Sequence, residues 1–221
     1  TKGVTGASSQ ASTSSASLAL ITIPVVVHVL YNTASQNISN AQIESQIAVL
    51  NNDYQKLNPD TVGIPAYYAP RAANSGYRFI LAGVDATGNS TTGIVRKHTD
   101  VNIFTFNDDM KSSATGGDDA WDADQYLNIW VCNLQGGTLG YSSIVGGNKA
   151  VDGVAVLYTA FGIGGTTQAP FNQGRTCTHE VGHWLNLIHT WGDAECGDDQ
   201  VADTPPQAQA DYGNPGGIII T

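Results

Sequence analysis

Basic side chains are scarce in this chain. Nine Lys and Arg stand against nineteen Asp and Glu in 221 residues, a formal net charge of −10. Nucleic-acid binding depends on neutralising phosphates, so this balance argues against a DNA or RNA partner. Cysteine is nearly absent too. Cys132, Cys177 and Cys196 contain no C-x-x-C pair, which argues against a thiolate zinc ribbon. At most one internal disulfide can form. Cys132 and Cys177 either pair or lie as buried thiols, and the odd count also fits a partner cysteine outside this chain. Long apolar runs are missing as well. The stretch "LALITIPVVVHVLY" is too short to span a bilayer, is interrupted by Pro24 and His28, and lacks the basic start of a signal peptide. No membrane span is expected. The glycines of "GIGGTTQAPFNQG" do not match phosphate-cradling spacing and no Lys follows them.

What is present suits one domain, or one domain divided by a cleft, with 41% hydrophobic residues to fill a core. Residues 1–17 contain almost no large apolar side chains and read as a flexible leader. "ITIPVVVHVLY" is a buried strand, and its His28 is a strand or core histidine rather than a ligand. Ser39 and Gln42 form a capping box. Ile43, Ile47, Leu50 and Tyr54 then make one apolar stripe, so a helix follows and ends by Asn58-Pro59. Further strands are read in "YRFILAGVD", "GIVRKHT", "YLNIWVCNL" and "DGVAVLYTAFG", with "GGTLGYSS" as a glycine-rich connection and His98 on the surface. This order predicts an α/β sandwich around a mixed sheet. Low Lys content, abundant Ser, Thr, Asn and Gly, and the sequons at Asn37 and Asn89 fit a secreted protein.

Histidine is also rare, yet three of the five fall within eleven residues, "HEVGHWLNLIH". On a helix, His179 and His183 share one face, a turn apart, and can reach one zinc ion at ~2.0–2.1 Å. Glu180 between them can reach a water on the metal without ligating it and can act as general base. An amphipathic helix with two surface histidines is the alternative, but His189 argues against it. Six residues beyond His183 it lies about 120° round a continuing helix, so it joins the metal only if the helix stops between Trp184 and Ile188. Asn186 tolerates the left-handed backbone that such a stop requires. Three histidines leave an open coordination position, as catalytic zinc sites do.

The stretch resembles the metzincin signature H-E-x-x-H-x-x-G-x-x-H with Asn186 in place of Gly, and so the pappalysin-like metalloproteases. "IPVVVHVLYNTASQNISNAQIESQIAVLNNDY", "YLNIWVCNLQGGTLGY", "DGVAVLYTAFG" and "HTWGD…CGDDQVADTPPQ" look like that family across most of residues 21–207. The resemblance implies His179, His183 and His189 as zinc ligands, Glu180 as general base and a protein or peptide substrate. It implies a twisted, mostly parallel five-stranded sheet with a backing helix and a zinc-site helix, divided into an upper subdomain (18–186) and an incomplete lower one (187–221). It also implies that the edge strand lies within "GVAVLYTAF" and binds substrate by strand addition, and that structural calcium sits after the third histidine, with Asp193, Asp199, Asp203 and Thr204 as its oxygen ligands. Metzincins carry a Met-turn beneath the zinc, whereas Met110 is the one methionine here and precedes the zinc helix. The chain is therefore expected to be a fragment or a short variant. The function it predicts is a secreted zinc endopeptidase; the alternative is a zinc-binding, catalytically impaired domain that holds protein without cutting it.

Overall fold

The computed structural model describes residues 20–205 and 207–210; the expected leader lies outside them. Six strands and two α-helices follow one another as β1 (Ile21–Tyr31), α1 (Asn40–Tyr54), β2 (Tyr77–Leu81), β3 (Ile94–His98), β4 (Leu127–Cys132), β5 (Gly140–Ser142), β6 (Val154–Leu157) and α2 (Arg175–Trp184). They form one sheet in the order β2-β1-β4-β6-β5, with β3 also on β1. All pairings are parallel except β5 with β6.

Two expectations need correction. The sheet has six strands rather than five, because β2 pairs with Ile21–Val25 and β3 with Val27–Tyr31 along the same side of β1. Five positions across the sheet are thus filled by six strands, the outermost one shared by two short strands in tandem. The edge strand is not the one in "GVAVLYTAF". That segment forms β6, flanked by β4 and β5, and the edge on that side is β5, three residues from the stretch read as a connection.

Strand alternation builds the two faces. Val25, Val27 and Val29 of β1 point to the side where Ile43 and Leu50 of α1 meet Cys177 and Val181 of α2. Leu30 joins Trp130, Met110 and Tyr141 under the irregular segments on the other side. Residues 25–30 are all buried, as a strand covered on both faces requires. Each fully buried Val, Ile or Leu contributes roughly 1.5–3 kcal/mol.

The first helix also holds the approach to the second. Ser39 accepts from the Gln42 backbone N–H at 3.2 Å, but the Gln42 side chain does not close the capping box. Buried instead, Gln42 donates to the carbonyls of Phe161 (2.9 Å) and Tyr158 (3.1 Å) and accepts from the Thr166 N–H (3.0 Å). Gln46 donates to Gly174 O at 3.0 Å and accepts from the Gly162 N–H at 2.6 Å. Two glutamines of α1 thereby satisfy the backbone of the loop leading into α2.

His28 is buried, as expected of a strand histidine, but it has partners. Its Nδ1 donates to Asp118 Oδ2 at 2.7 Å and its Nε2 to Asn128 Oδ1 at 3.0 Å, while its ring stacks on Trp130 at 5.0 Å. Burial pushes the Asp118 carboxyl up, but the His28 hydrogen bond and charge, with help from Lys97, pull it further down, so the net shift is below the usual range. A carboxyl depressed in the folded state stabilises the fold above its unfolded pKa of about 3.9, and that stability disappears as pH falls through the folded value. Asp118→Asn is therefore expected to cost about 1–3 kcal/mol at pH 7, with the gap to the parent closing below about pH 4. Urea unfolding at both pH values checks this, and a gap of equal size at both would refute it.

Candidate metal centre and cleft

Helix α2 points its residues to two sides. Cys177 and Val181 enter the core and anchor the helix to the sheet, both cysteines of the interior being free thiols. Arg175 at its start pairs with Asp53 (3.2 Å) and Asp60 (3.0 Å), and Thr178 donates to Asp53 at 2.7 Å. Tyr54 donates to Thr178 O at 3.0 Å. The helix is thus fixed to the end of α1, and His179 and His183 project from it together.

The helix stops where the sequence predicts. Asn186 has φ 71°. The Asn186 N–H donates to His183 O at 2.8 Å and the Leu187 N–H to Gly182 O at 2.9 Å. This pair of bonds is the Schellman ending, with Asn at the left-handed position. The chain then doubles back and brings His189 to the other two. The Nε2 atoms lie 3.0 Å apart for His179 and His183, 3.2 Å for His183 and His189, and 3.2 Å for His179 and His189.

Outer hydrogen bonds fix which nitrogen faces inward. His183 Nδ1 donates to Leu187 O at 2.7 Å, and His189 Nδ1 donates to the Asp193 carboxylate. Both rings therefore present an Nε2 lone pair to the common centre. Burial, followed by the neighbouring His183 and His189, lowers the pKa of His179 and favours its neutral form. Three inward lone pairs suit a cation. The edge of a zinc tetrahedron with bonds of ~2.0–2.1 Å is roughly 3.3 Å, close to the observed separations, so these residues fit zinc. Among the described residues this is the one group of three or more His, Cys, Asp or Glu whose ligand atoms lie within 4.8 Å of one another.

Glu180 is 8% exposed, and burial pushes its carboxyl up to about 7. It lines a cleft of about 520 Å³ with the three histidines on one side and Gly140, Ser142 and Ile144 on the other. A Cβ at Gly140 would lie 2.9 Å from Glu180 Cγ and 2.9 Å from Ala155 O, so the free edge of the sheet approaches the glutamate as closely as a glycine allows. Sequence reasoning missed Gly140, since nothing in "GGTLGYSS" separates a three-residue strand from a turn.

The four expected calcium ligands lie in the loop after His189, each with its own surroundings. The Asp193 carboxylate is taken up by His189. Asp199 accepts from the Val201 N–H at 3.0 Å, the Thr204 N–H donates to Val201 O at 3.0 Å, and Asp203 is exposed. Met110 is buried on the opposite face of the sheet from α2, where Tyr141 donates to its sulfur at 2.8 Å.

Comparison with known proteins agrees with this geometry. Mature mirolysin of Tannerella forsythia, solved in complex with a cleaved peptide, is 46% identical with a TM-score of 0.85, the match covering 87% of this chain and 74% of that one. A second mirolysin structure, in complex with compound 9, is 47% identical with a TM-score of 0.84 at the same coverage. An extracellular metalloprotease of Pyricularia oryzae is 30% identical over 208 residues, which is 88% of this chain and 60% of that protein. One of Verticillium alfalfae is 33% identical over 205 residues, 89% of this chain and 62% of that protein. The chain thus spans under two thirds of the length of these curated relatives. Residues 109–216 match the family described as pregnancy-associated plasma protein-A. With the three histidines in place and the sheet shared with mirolysin, the chain belongs to the pappalysin-like metzincin family of metallopeptidases.

Proposed function

We propose that this domain is a secreted zinc-dependent endopeptidase. One observation carries the reading: three Nε2 lone pairs converge within 3.2 Å beside a buried glutamate. When bound, zinc supplies Lewis acidity, acidifying a water toward pKa ~7 and polarising a carbonyl. His179, His183 and His189 would hold it and leave one position open. Glu180 accepts the proton of the attacking water and hands it to the leaving amine. The β5 edge, Gly140–Ser142, offers its unpaired backbone groups to an extended peptide, laying the scissile bond beside Glu180.

Secretion is supported by the composition and by relatives named extracellular metalloproteases. Among the described residues no helix is long and apolar enough to cross a membrane. Division of the domain at Asn186, above and below the cleft, is part of the same reading. Structural calcium at Asp199, Asp203 and Thr204 is a separate proposal, supported by their oxygen chemistry alone.

The test is metal content and cleavage measured together. The purified chain is expected to hold one zinc and to cut casein, to lose both on chelation, and to regain cleavage when zinc is returned. His183→Ala is expected to hold no zinc. A folded chain that cuts peptides equally well without metal would overturn the reading.

A further inference from the structure

His179 and His183 are held by a helix, whereas His189 sits on irregular chain, where an imidazole is free to swing unless something fixes it. Two neighbours do. The Trp191 indole stacks on the His189 ring with centroids 4.2 Å apart and planes 7° from parallel. The Asp193 carboxylate accepts the hydrogen bond from His189 Nδ1. One contact sets the plane of the ring and the other its rotation within that plane.

The loop is built to keep Asp193 there. The Gly192 N–H closes a turn on His189 O at 2.7 Å. Gly192 has φ +62°, and a Cβ on it would lie 2.3 Å from the Asp198 N. A Cβ on Gly197 would lie 2.5 Å from Trp191 O. The stretch "WGDAECGD" therefore packs backbone on backbone at two points, and the Cys196 N–H ties it to Ala208 O at 3.0 Å. Asp193 itself has φ 55°, a conformation Asp tolerates and most residues avoid.

We propose that Asp193 is a positioning residue of the metal centre: its carboxylate holds the Nδ1 proton of His189, so that the Nε2 lone pair faces those of His179 and His183. A carboxylate in this place fixes the tautomer, orients the ring and makes its other nitrogen a stronger donor. This assigns Asp193 to the histidine rather than to calcium. The proposal rests on the zinc reading above.

The test compares zinc affinity, by competition with a chromophoric chelator, in the parent, Asp193→Ala, Asp193→Asn and Glu195→Gln. Asp193→Ala is expected to bind zinc ~10–100-fold more weakly. Asp193→Asn keeps an acceptor without the charge and recovers part of the loss, and Glu195→Gln matches the parent. The visible spectrum of the cobalt-substituted protein shifts in Asp193→Ala, while the melting temperature of metal-free Asp193→Asn, whose side chain tolerates the same backbone, stays that of the parent. Parental zinc affinity in Asp193→Ala would overturn the proposal, as would a lower metal-free melting temperature in Asp193→Asn. So would a calcium-binding isotherm present in the parent and lost in Asp193→Ala. A parent that holds no zinc overturns the zinc reading itself, and this proposal with it.

Discussion

Replacing Glu180 with Gln is expected to slow peptide cleavage by roughly 10²–10⁴-fold while one zinc per chain remains. The two side chains have the same shape, so the core around α2 is undisturbed. Gln cannot take a proton from water, which is the step assigned to Glu180. The zinc should stay because the inward lone pairs belong to His179, His183 and His189 alone. The side chain is 8% exposed and lies between the histidines and the sheet edge, where no bulk solvent substitutes for a missing base. Cleavage rates and zinc content of parent and variant, measured on the same preparations, decide the matter. Equal rates would remove Glu180 from the mechanism.

Gly140→Val is expected to reduce kcat/KM by about 10²-fold or more, since misplacing a reacting group by an ångström has that effect. Its first new atom would lie 2.9 Å from Glu180 Cγ, 2.9 Å from Ala155 O and 3.2 Å from Thr176 Cγ2. A backbone oxygen cannot yield cheaply, so either β5 leaves β6 or the glutamate is displaced. Both outcomes harm cleavage, the first by spoiling the edge on which peptide is laid, the second by moving the base. Neither touches the histidines, so zinc content is expected to hold. A valine variant with parental kcat/KM would show that the β5 edge is not part of the working cleft.

The cluster of three histidines was legible because sharing one metal would constrain their spacing. Two ligands must lie one helical turn apart, a third can return only through a sharp helix ending, and Asn186 is among the few residues that permit one. Its φ of 71° and the two Schellman bonds bear that out. The long strands were legible for a similar reason: "VVVHVL" and "LNIWVC" are apolar except for the paired His28 and Asn128, as strands buried on both faces tend to be. What escaped was whatever lies in tertiary context. The β5 strand has three residues and no β-branched side chain, and only its pairing with β6 defines it. Two strands share one side of β1, which no local pattern announces. Gln42 looked like a cap because it stands three residues after Ser39; its true partners are 116 to 124 residues away. The family resemblance put the Asp193 carboxylate among calcium ligands, and its hydrogen bond with His189 appears only once the chain has turned.

The pairing of β1 has a consequence for how the chain is made. Its partner β4 begins about a hundred residues later, since Val25 pairs with Leu127. At ~5–20 residues per second, the ribosome needs roughly 5–20 seconds to deliver that partner. Helix α1, β2 and β3 are made within this interval, but the other side of β1 has no strand beside it until β4 arrives. Sheets assembled from such distant pieces form slowly and expose sticky edges while they wait. A growing chain that stops short of Leu127 therefore carries a half-paired β1, with the "PVVVHVL" backbone open to other strands on the side that β4 will take.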